Sequence, residues 1–589
     1  MTALSIQNFA GMLPIREPSL LADNDAQTCT NAFLYKGSLR GFRKGLSVYT
    51  LKTGVAQSVY RIPLNANVKQ NFATSLWLEL PDQFTTVLRA PMIADRFQRY
   101  YFFPPGGSPY FDTLPGLQNL APYTGQPSSN NPGGWSLGVP NPTVAPTVIP
   151  AVGTDQLRSY IYTWVNGFGE ESPPSPPVVS TIGSATGTWS IGITAPTAAQ
   201  QANHNIAQVN LYRNVGLTYY RIGSYALNAV FVQDNLVDAN VATGVVLPST
   251  TWFPPPADIQ GVVMMANGIM AGFSNKKEVW FSEAYTPHAW PAQYAVTVPF
   301  PIVGLAAVGT NLLILTEGQP WYAGGVSPGT MAIGAIAANE PCISRGSIFA
   351  AGEGVYYASP NGLILVNTSG TTNTSETLMS KEDWIKTDPY DYCASRYASA
   401  YFAIVKGGPA NANGYIYDHT TFVEQSFTPS KGNTPMSALA LPGPPINVYN
   451  DELSGQVFLV TGTDVQQWLP EVDTGPLPYI WRSKDFRFPY PEQFAVGAVD
   501  FNIPPSVTIP TPTTHNLNQL QTYDPTQQYL LLRVFADGRQ VLVREIISSG
   551  ELCMLPAGYK ASYWSFQFEG QVEIKFAQFA TSVKELRKV

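Results

Sequence analysis

Residues 262–273, VVMMANGIMAGF, carry the pattern that decides the fold, together with VWFS at residues 279–282. The pattern is a short apolar strand, a turn with Asn and Gly, a second strand, and a third strand rich in aromatics. It recurs at irregular spacing, at residues 302–315 with 321–324, 347–350 with 355–359 and 363–366, 400–405 with 415–418, and 457–460 with 465–468. Each hairpin leaves one face to bury and one edge to protect, and radially arranged blades solve both problems. The sequence therefore predicts an all-β chain with a β-propeller over residues 253–490.

The propeller is expected to begin upstream, in residues 51–150. SVYRI at residues 58–62 and TTVLR at residues 85–89 alternate in the manner of paired strands and supply its first strands. Residues 104–150 are rich in Gly, Pro, Asn and Ser and show no apolar period. That composition predicts a connection on the surface.

A separate β-sandwich insert is predicted over residues 151–252. The strand YIYTWVN at residues 160–166 is followed by a turn and by the break PPSPP at residues 173–177. About seven short strands in roughly 100 residues are typical of a small sandwich, and this run resembles a fibronectin III-like module. Further strands fill residues 491–589, where we expect a C-terminal β platform region. Helix is scarce, and residues 380–385 are the best short candidate.

Charged residues make up only 12% of the chain, about half of the ~25% that is usual for a soluble domain. The 49 Gly and 51 Pro are more than average but fall short of the share that marks disorder. A folded chain with so few charges is expected to cover much of its surface with other chains. The composition therefore favours a structural subunit.

Charge and cysteine content argue against several classes of protein. The net charge is −7 and the densest basic cluster is RGFRK at residues 40–44, whereas proteins that grip nucleic acid concentrate Lys and Arg. Neither a secretory signal nor a spanning helix is expected, because no basic start or long apolar run occurs. The cysteines are expected to be buried free thiols in a chain made in the cytoplasm. They are Cys29, Cys342, Cys393 and Cys553.

The histidines offer one candidate for acid–base chemistry. None of them has another histidine or a cysteine at metal-ligand spacing. They are His204, His288, His419 and His515. In SEAYTPHAWP at residues 282–291, an acid, a tyrosine and a histidine could form a general acid–base pair. We favour the alternative, in which the Pro and Trp residues fix a rigid connection between blades while Glu283 and His288 hydrogen-bond to backbone.

Neighbouring carboxylates are the other candidates for catalysis. They are Glu278 with Glu283, and Asp383 with Asp388 and Asp391. A glycosidase needs two carboxyls roughly 5–9.5 Å apart in one pocket, and neither group comes with a sialidase-type Asp-box or an arginine triad. A GxxxxGKS/T phosphate loop and a GxSxG nucleophile elbow are also missing. We therefore expect no enzyme activity, no cofactor, and no catalytic, cofactor-binding or metal-binding residues.

The N-terminal residues 11–40 carry a more specific pattern. They read GMLPIREPSLLADNDAQ at residues 11–27, continue to Asn31, and reach GSLR at residues 37–40. The pattern resembles the opening G-x-x-P-R, L-x-x-N-x-A-Q, N and G-x-L-R of the tail nozzle (distal tail-tube) proteins of short-tailed, podovirus-like bacteriophages. The family's Pro-Arg pair is split here as Pro14-Ile15-Arg16. Later stretches similar to the same family are SEAYTPHAWP, CIS at 342–344, GVYYASPNGL at 354–363 and LPAGYKA at 555–561.

The resemblance implies a function and a set of partners. It implies a homohexameric ring of propeller-bearing subunits around a channel that gates and conducts the genome during ejection. The implied partners are the tail adaptor protein, tail fibre or spike proteins, viral DNA passing through the lumen without sequence-specific binding, and the host cell surface. Residues 1–50 would form an N-terminal assembly arm. The chain would be made in the bacterial host cytoplasm and located in the virion tail.

Two other functions stay open at this point. A propeller-type polysaccharide-degrading enzyme would need paired carboxylates in a pocket, one of them with a raised pKa. A receptor-binding tail fibre protein would usually be trimeric. The number of chains in the assembly separates the fibre protein from the nozzle.

Overall fold

A computed structural model describes residues 3–64, 72–119, 134–229, 231–352, 354–397, 400–417, 436–504 and 530–587. Nearly all of its regular structure is β-strand, as the sequence predicts. The helices in these ranges are short, and none has the length and apolar composition needed to cross a bilayer. They are α1 (Leu114–Asn119), α2 (Ala198–His204), α3 (Asp238–Val241), α4 (Lys381–Lys386) and α5 (Val583–Leu586).

Short strands fill the first 241 residues. The strands before residue 137 are β1 (Ala3–Gln7), β2 (Ala26–Thr30), β3 (Ala32–Tyr35), β4 (Ser38–Gly41), β5 (Leu46–Thr50), β6 (Ser58–Ile62), β7 (Leu76–Leu80), β8 (Thr86–Arg89), β9 (Arg99–Phe103), β10 (Tyr110–Thr113) and β11 (Gly134–Ser136). The insert, defined here as residues 147–241, contains β12 (Thr147–Ile149), β13 (Gln156–Arg158), β14 (Tyr160–Asn166), β15 (Thr181–Gly183), β16 (Trp189–Gly192), β17 (Ile206–Val215), β18 (Thr218–Ala226) and β19 (Phe231–Asp234).

Hairpins follow one another after the insert. They comprise β20 (Gln260–Met264), β21 (Met270–Ser274), β22 (Glu278–Phe281), β23 (Val296–Thr297), β24 (Ile302–Val308), β25 (Asn311–Thr316), β26 (Trp321–Gly324), β27 (Ala332–Ala335), β28 (Phe349–Ala351), β29 (Gly354–Ser359), β30 (Gly362–Asn367), β31 (Gly370–Asn373), β32 (Tyr392–Tyr397), β33 (Ala400–Val405), β34 (Gly414–Tyr417), β35 (Ser437–Leu439), β36 (Asn447–Asp451), β37 (Gln456–Val460) and β38 (Asp464–Gln467). The last strands are β39 (Tyr479–Ser483), β40 (Phe486–Glu492), β41 (Val496–Asn502), β42 (Leu530–Ala536), β43 (Arg539–Ile546), β44 (Cys553–Met554), β45 (Ala561–Gly570) and β46 (Glu573–Ala580).

Seven sheets of the described residues stand around one axis. Contacts link their first strands in the order β8, β20, β24, β28, β32, β36 and β6, and β6 and β8 line the same central cavity. Five of these sheets have four antiparallel strands, and the hairpin β6–β7 is a sixth. The remaining blade, β32–β35, also has four antiparallel strands and is the first part of a ten-stranded sheet. This arrangement is a β-propeller, and the hairpins recognised in the sequence are its blades.

The ring of blades is closed by a strand from the N-terminus. β5 pairs antiparallel with β38, with Thr50 opposite Asp464 and Leu46 opposite Gln467. It thereby becomes the fourth strand of the blade that begins with β36. The last blade is therefore complete only when residues separated by more than 400 positions meet.

The other N-terminal strands join the propeller to the C-terminal sheets. β2 pairs parallel with β35, the last strand of a blade, and antiparallel with β39. That blade thus continues through β2 into the sheet β39–β45–β42–β43. β1, β3 and β4 belong to a second sheet with β46 and β41. The hydrophobic core shared by these sheets includes Ile6, Phe9, Cys29, Leu34, Trp481, Phe494, Leu532 and Phe568.

Residues 1–50 were expected to form an arm with few strands. They contribute the five strands β1 to β5 to the fold. Phe9 is buried against Trp481, with ring centroids 4.9 Å apart, and Trp481 Nε1 donates to the Ala10 carbonyl at 2.8 Å. Strands as short as AQTCT carry too little alternation to indicate a partner so far along the chain. A role of this segment in assembly stays a prediction.

Residues 104–150 were expected to be a connection on the surface, but they contain two strands of a blade. β10 and β11 are the third and fourth strands of the blade that begins with β8, while residues 120–133 lie outside the described residues. The Tyr110 ring stacks on Phe102 at 4.7 Å. Two short strands separated by a polar stretch show no period in the sequence, although their aromatic residues are buried.

The insert lies between β11 and β20. One sheet has the order β12–β16–β19, a second has the order β14–β17–β18, and β13 pairs with β15. Both larger sheets contribute to one core, which includes Tyr160, Trp164, Trp189, Ile191, Leu211 and Val232.

The helix α2 was not expected from the sequence, although its capping box between Thr197 and Gln200 is a recognisable helix start. The helix expected at residues 380–385 is present as α4.

The ring closure gives a testable prediction at Glu79. Its buried carboxylate accepts hydrogen bonds from the Tyr49 hydroxyl (2.8 Å), the Lys52 amide (2.8 Å) and the amide and hydroxyl of Thr53 (3.0 and 2.5 Å). Burial alone would raise the pKa of Glu79, but these donors outweigh it and hold the pKa below its ordinary value. We expect Glu79→Ala to lower the free energy of unfolding by about 2–4 kcal/mol, because buried donors lose their acceptor.

The measurement is the unfolding transition in urea, with Glu376→Ala as the control because Glu376 is exposed. Equal transitions for the two variants would contradict the assigned role of Glu79 in holding residues 49–53.

Candidate functional site

The first strands of the propeller enclose an axial cavity of about 1110 Å³. Its lining includes residues of β20 and β24 and the side chains of Tyr60, Tyr100, Tyr449, Arg61, Arg89 and Arg345. This volume is slightly above the range of small-molecule sites, which is about 300–1,000 Å³. The cavity is therefore the first place to look for a functional site.

A polar network lies beside one end of the axial cavity. Lys406 Nζ donates to the side-chain oxygens of Gln57 (3.2 Å) and Gln83 (3.1 Å). Asn447 Nδ2 donates to the backbone carbonyls of the same two residues, at 3.1 and 3.4 Å. These bonds connect the segments that precede β6 and β8 to the blades of β33 and β36. They hold neighbouring blades together at that end.

Arg345 lies against the same end of the cavity. Its guanidinium donates to Gln260 Oε1 (3.0 Å) and to the Phe84 carbonyl (3.3 Å), and it stacks over the Phe84 ring at 5.1 Å. Burial lowers the pKa of Arg345 to about 10, so the group still carries its charge at neutral pH. Arg345 thus connects three blades through hydrogen bonds and ring contact.

A buried ion pair fixes the junction where the ring closes. Arg61 of β6 is paired with Asp451 at the end of β36, and both side chains are almost fully buried. Arg61 Nε also donates to Ser75 Oγ at 2.9 Å, and Ser454 donates to the Asp451 carboxylate. Removing one partner of such a pair is costly because the other charge is left buried.

The lining offers no pair of groups arranged for proton transfer. Among the described residues that line the cavity, the carboxylates are Asp451 and Glu452, and no histidine or cysteine is present. Asp451 is held by Arg61 and Ser454. The polar groups at the cavity, such as Arg61, Arg345 and Lys406, therefore hold neighbouring blades together.

The SEAYTPHAWP run does not bring its acid and its histidine together. Glu283 Oε1 accepts from the Tyr294 hydroxyl at 2.9 Å, whereas His288 Nδ1 lies 3.6 Å from Glu170 Oε1 of the insert. The expectation that both side chains bond to backbone is therefore wrong, because each meets a side chain from elsewhere. The run lies between β22 and β23 of one blade, so it does not connect two blades as expected. Trp290 in this run is fully buried and its Nε1 donates to the Pro287 carbonyl at 2.8 Å.

His288 belongs to a buried cluster at the junction of the insert and the propeller. Arg99 Nη1 donates to Glu170 Oε1 at 2.6 Å, and Arg99 Nε donates to Asp95 Oδ2 at 3.0 Å. Trp252 places its ring edge-on to His288 at 5.6 Å. Burial lowers the pKa of His288 below its ordinary value, so the ring is neutral at neutral pH. The sequence carried no signal for this cluster, since its members are up to 193 positions apart.

The remaining candidates are scattered. Glu278 accepts from Trp280 Nε1 at 3.1 Å, and Asp383 bonds to Ser380 and Lys386 near the start of α4. His204 Nδ1 contacts the Gly138 carbonyl at 2.7 Å, and His419 and His515 lie outside the described residues. The four cysteines are buried free thiols, as predicted. In the described ranges, no three His, Cys, Asp or Glu side chains are grouped so that they could hold a metal ion.

Asp112 is the most strongly perturbed carboxyl. It lies in β10 on the same face as Tyr110, and only 1% of it is exposed. Oδ1 accepts from the Thr113 amide at 2.6 Å, while Oδ2 is buried without a hydrogen-bond partner among the described residues. Burial raises the pKa of Asp112 to about 7.

A pH dependence of stability follows from Asp112. The folded carboxyl keeps its proton up to about pH 7, whereas the unfolded one loses it near its ordinary pKa of 3.8. The folded state therefore binds more protons in this window, and the free energy of unfolding falls as the pH rises through it. We expect Asp112→Asn to raise the free energy of unfolding by roughly 4 kcal/mol at pH 8, because one pKa unit corresponds to about 1.4 kcal/mol, with little effect at pH 4.

Denaturant unfolding at both pH values checks this expectation, with the exposed Asp473→Asn as control. An Asp112→Asn effect that is the same at pH 4 and pH 8 would show that the carboxyl is ionised in the folded state.

Comparisons with known proteins give little further information. No family model and no curated protein matches the chain. Matching solved structures include the extracellular domain of BT4673 from B. thetaiotaomicron, at 9% identity over 60% of this chain and 43% of that one, with a TM-score of 0.25. Others are the Pan2 WD40 domain from Neurospora crassa (8% identity, 50% and 86% coverage, TM-score 0.25) and BamB from Moraxella catarrhalis (10%, 66% and 97%, 0.24).

The match spans less than half of the BT4673 chain. At these TM-scores the likeness carries no argument about fold or function, and the propeller is established by the sheets of the chain itself.

Proposed function

We propose that the chain is a structural subunit of a bacteriophage tail, of the kind that forms a hexameric nozzle. Six copies would surround a channel that gates the genome and conducts it during ejection. The role is mechanical, and the partners are the tail adaptor, fibre or spike proteins, viral DNA in the lumen and the host cell surface.

The proposal rests on the position of the nozzle-like pattern of residues 11–40 in the structure. Its residues hold the fold at the junction of propeller and C-terminal sheets. The Asn31 side chain donates to the carbonyls of Ala440 and Pro478, both at 3.1 Å, and accepts from the Ala440 amide at 2.8 Å. Gln27 donates to Asp485 at 2.6 Å. Asn31 and Gln27 thus belong to the nozzle-like pattern and also hold the N-terminal segment to the propeller and the C-terminal sheets. We expect this if the pattern is typical of proteins that have this fold.

The path for DNA in this proposal runs between copies. The axial cavity of one subunit is little larger than a small-molecule site, at about 1110 Å³, and a polar network lies beside one end. A duplex would therefore pass through the lumen of the ring, where a net charge of −7 per chain disfavours adhesion of phosphate.

The finer architecture belongs to the same proposal. We interpret the insert as a fibronectin III-like β-sandwich, supported by its two facing sheets and the order β14–β17–β18. We interpret the C-terminal sheets as the platform on which the propeller stands, supported by the passage of one blade into them through β2.

The test of the proposal is the mass of the purified native assembly together with its image in the electron microscope. We expect six times the mass of one chain and a six-fold ring with an open lumen, and antibodies against the chain should label the distal end of tails. A stable monomer or trimer in virions would contradict the nozzle function.

The absence of catalysis is predicted separately. Glu278→Gln, Glu283→Gln, Asp383→Asn and Asp391→Asn should each leave any action on host polysaccharide unchanged. Cleavage by the natural chain that one of these substitutions abolishes would favour a polysaccharide-degrading enzyme instead.

A further inference from the structure

The insert presents exposed apolar side chains at one end, here called the tip patch. Its members are between 53% and 102% exposed, and two of them, Leu157 and Ile182, lie directly opposite each other in β13 and β15. The full set is Val152, Leu157, Val179, Ile182 and Leu217. Exposed apolar groups that lie side by side, as Leu157 and Ile182 do, mark an interaction site when the patch is large.

The tip patch lies far from the propeller. β14 runs from Tyr160, next to the tip, to Asn166, next to the cluster of Glu170 and Arg99 that joins the insert to the propeller. Seven residues of strand span about 20 Å. The patch is therefore held away from its own propeller, where it can reach another molecule.

The surroundings of the tip patch are almost free of charge. Residues 113–154 and 172–212 contain no Asp, Glu, Lys or Arg. Of the charged residues between these stretches, Asp155 alone is exposed, and its carboxylate accepts from the Ala185 amide at 3.3 Å. A strongly charged partner would find little counter-charge here, because Asp155 is the exposed charge of these stretches and the nearby Asp238 is paired with Arg213.

A second uncharged apolar surface, here called the edge patch, lies on the blade of β24–β27. β27 is the outer strand of that blade and pairs only with β26 among the described residues. Val326 is 88% exposed and Ile333 is 36% exposed, and residues 318–339 carry no charge. Outer strands are usually protected by charged residues or Pro, and this one has neither within its four residues.

We propose that the tip patch of one copy of the chain packs on the edge patch of the next copy. The inference rests on the proposed function, because it assigns the contact that closes the ring. A ring requires a heterologous contact, in which two different surfaces of one chain meet. The two patches are such surfaces, and the stretches of chain that carry them are poor in charge.

The two patches are attached to different blades of the propeller. The insert is attached to the blade of β8–β11, where Phe168 packs against Phe111 and Trp135 at 5.1 and 5.0 Å. The edge patch is on the blade two places further round the propeller. Two steps in a propeller of seven blades are roughly 100°, so the insert and the edge patch lie on different sides of the propeller, as the heterologous contacts of a ring require.

The test places a charge in each patch of the full-length chain. Val152→Lys and Val326→Lys should each weaken assembly by about tenfold or more, measured as the concentration at half-assembly by sedimentation velocity, because a lysine would be buried without a partner. Val472→Lys, at another exposed valine, is the matched control and should assemble like the natural chain. The melting temperatures of unassembled chains should be equal, since all three sites are exposed.

A double variant makes the test specific for the contact. In Val152→Lys with Val326→Asp, every contact would pair a lysine of one copy with an aspartate of the next, and assembly should return to within about threefold of the natural chain. A monomeric natural chain would refute the proposed function itself. A natural hexamer whose single variants assemble like the control would refute only this contact, and would show that other surfaces close the ring or that another partner covers the patches. Loss of assembly without rescue would refute tip-to-edge pairing.

Discussion

The pairing of the first fifty residues with strands from the second half of the chain is the constraint on which the rest of the structure depends. β5 completes the last blade, and β2 lies between a blade and the C-terminal sheet. Without β5 the blade of β36 would expose an unpaired edge, and without β2 the propeller and the C-terminal sheet would have no common strand. One short segment therefore closes a ring and joins it to its neighbour. These contacts are non-local, and such pairing forms slowly in folding because loop closure precedes it.

Buried charges mark the junctions between units. Arg61 with Asp451 lies where the ring closes, and Arg99 with Glu170 lies where the insert meets the propeller. Hydrophobic packing would tolerate several relative positions of such units, whereas a buried ion pair loses several kcal/mol when its partner is displaced. The surface shows the opposite trend, because the insert and one blade are almost without exposed charge. Charge is thus used inside to fix the units of one chain, and its absence outside suits contact with other chains.

The sequence predicted what is local. The recurring hairpins indicated the blades, the strands and turns around residues 160–177 indicated the insert, and residues 380–385 were expected to be helical and are part of α4. It did not indicate that AQTCT would pair with residues 479–483, since five residues with weak alternation fit many partners. The same limit applies to the candidate site. Glu283 and His288 are neighbours in sequence and suggested a pair, yet His288 meets Glu170 from the insert, and the groups at the cavity come from blades spread along the whole chain.

Hydrogen exchange of the native chain tests most directly whether the N-terminal segment is part of this fold. Amides of β2 and β5 should exchange as slowly as those of β39 and β38, with which they pair, because all of them open only when the propeller unfolds. Fast exchange at residues 26–30 and 46–50, with β39 and β38 still protected, would contradict this account. The segment would then be an arm that is ordered only by other subunits.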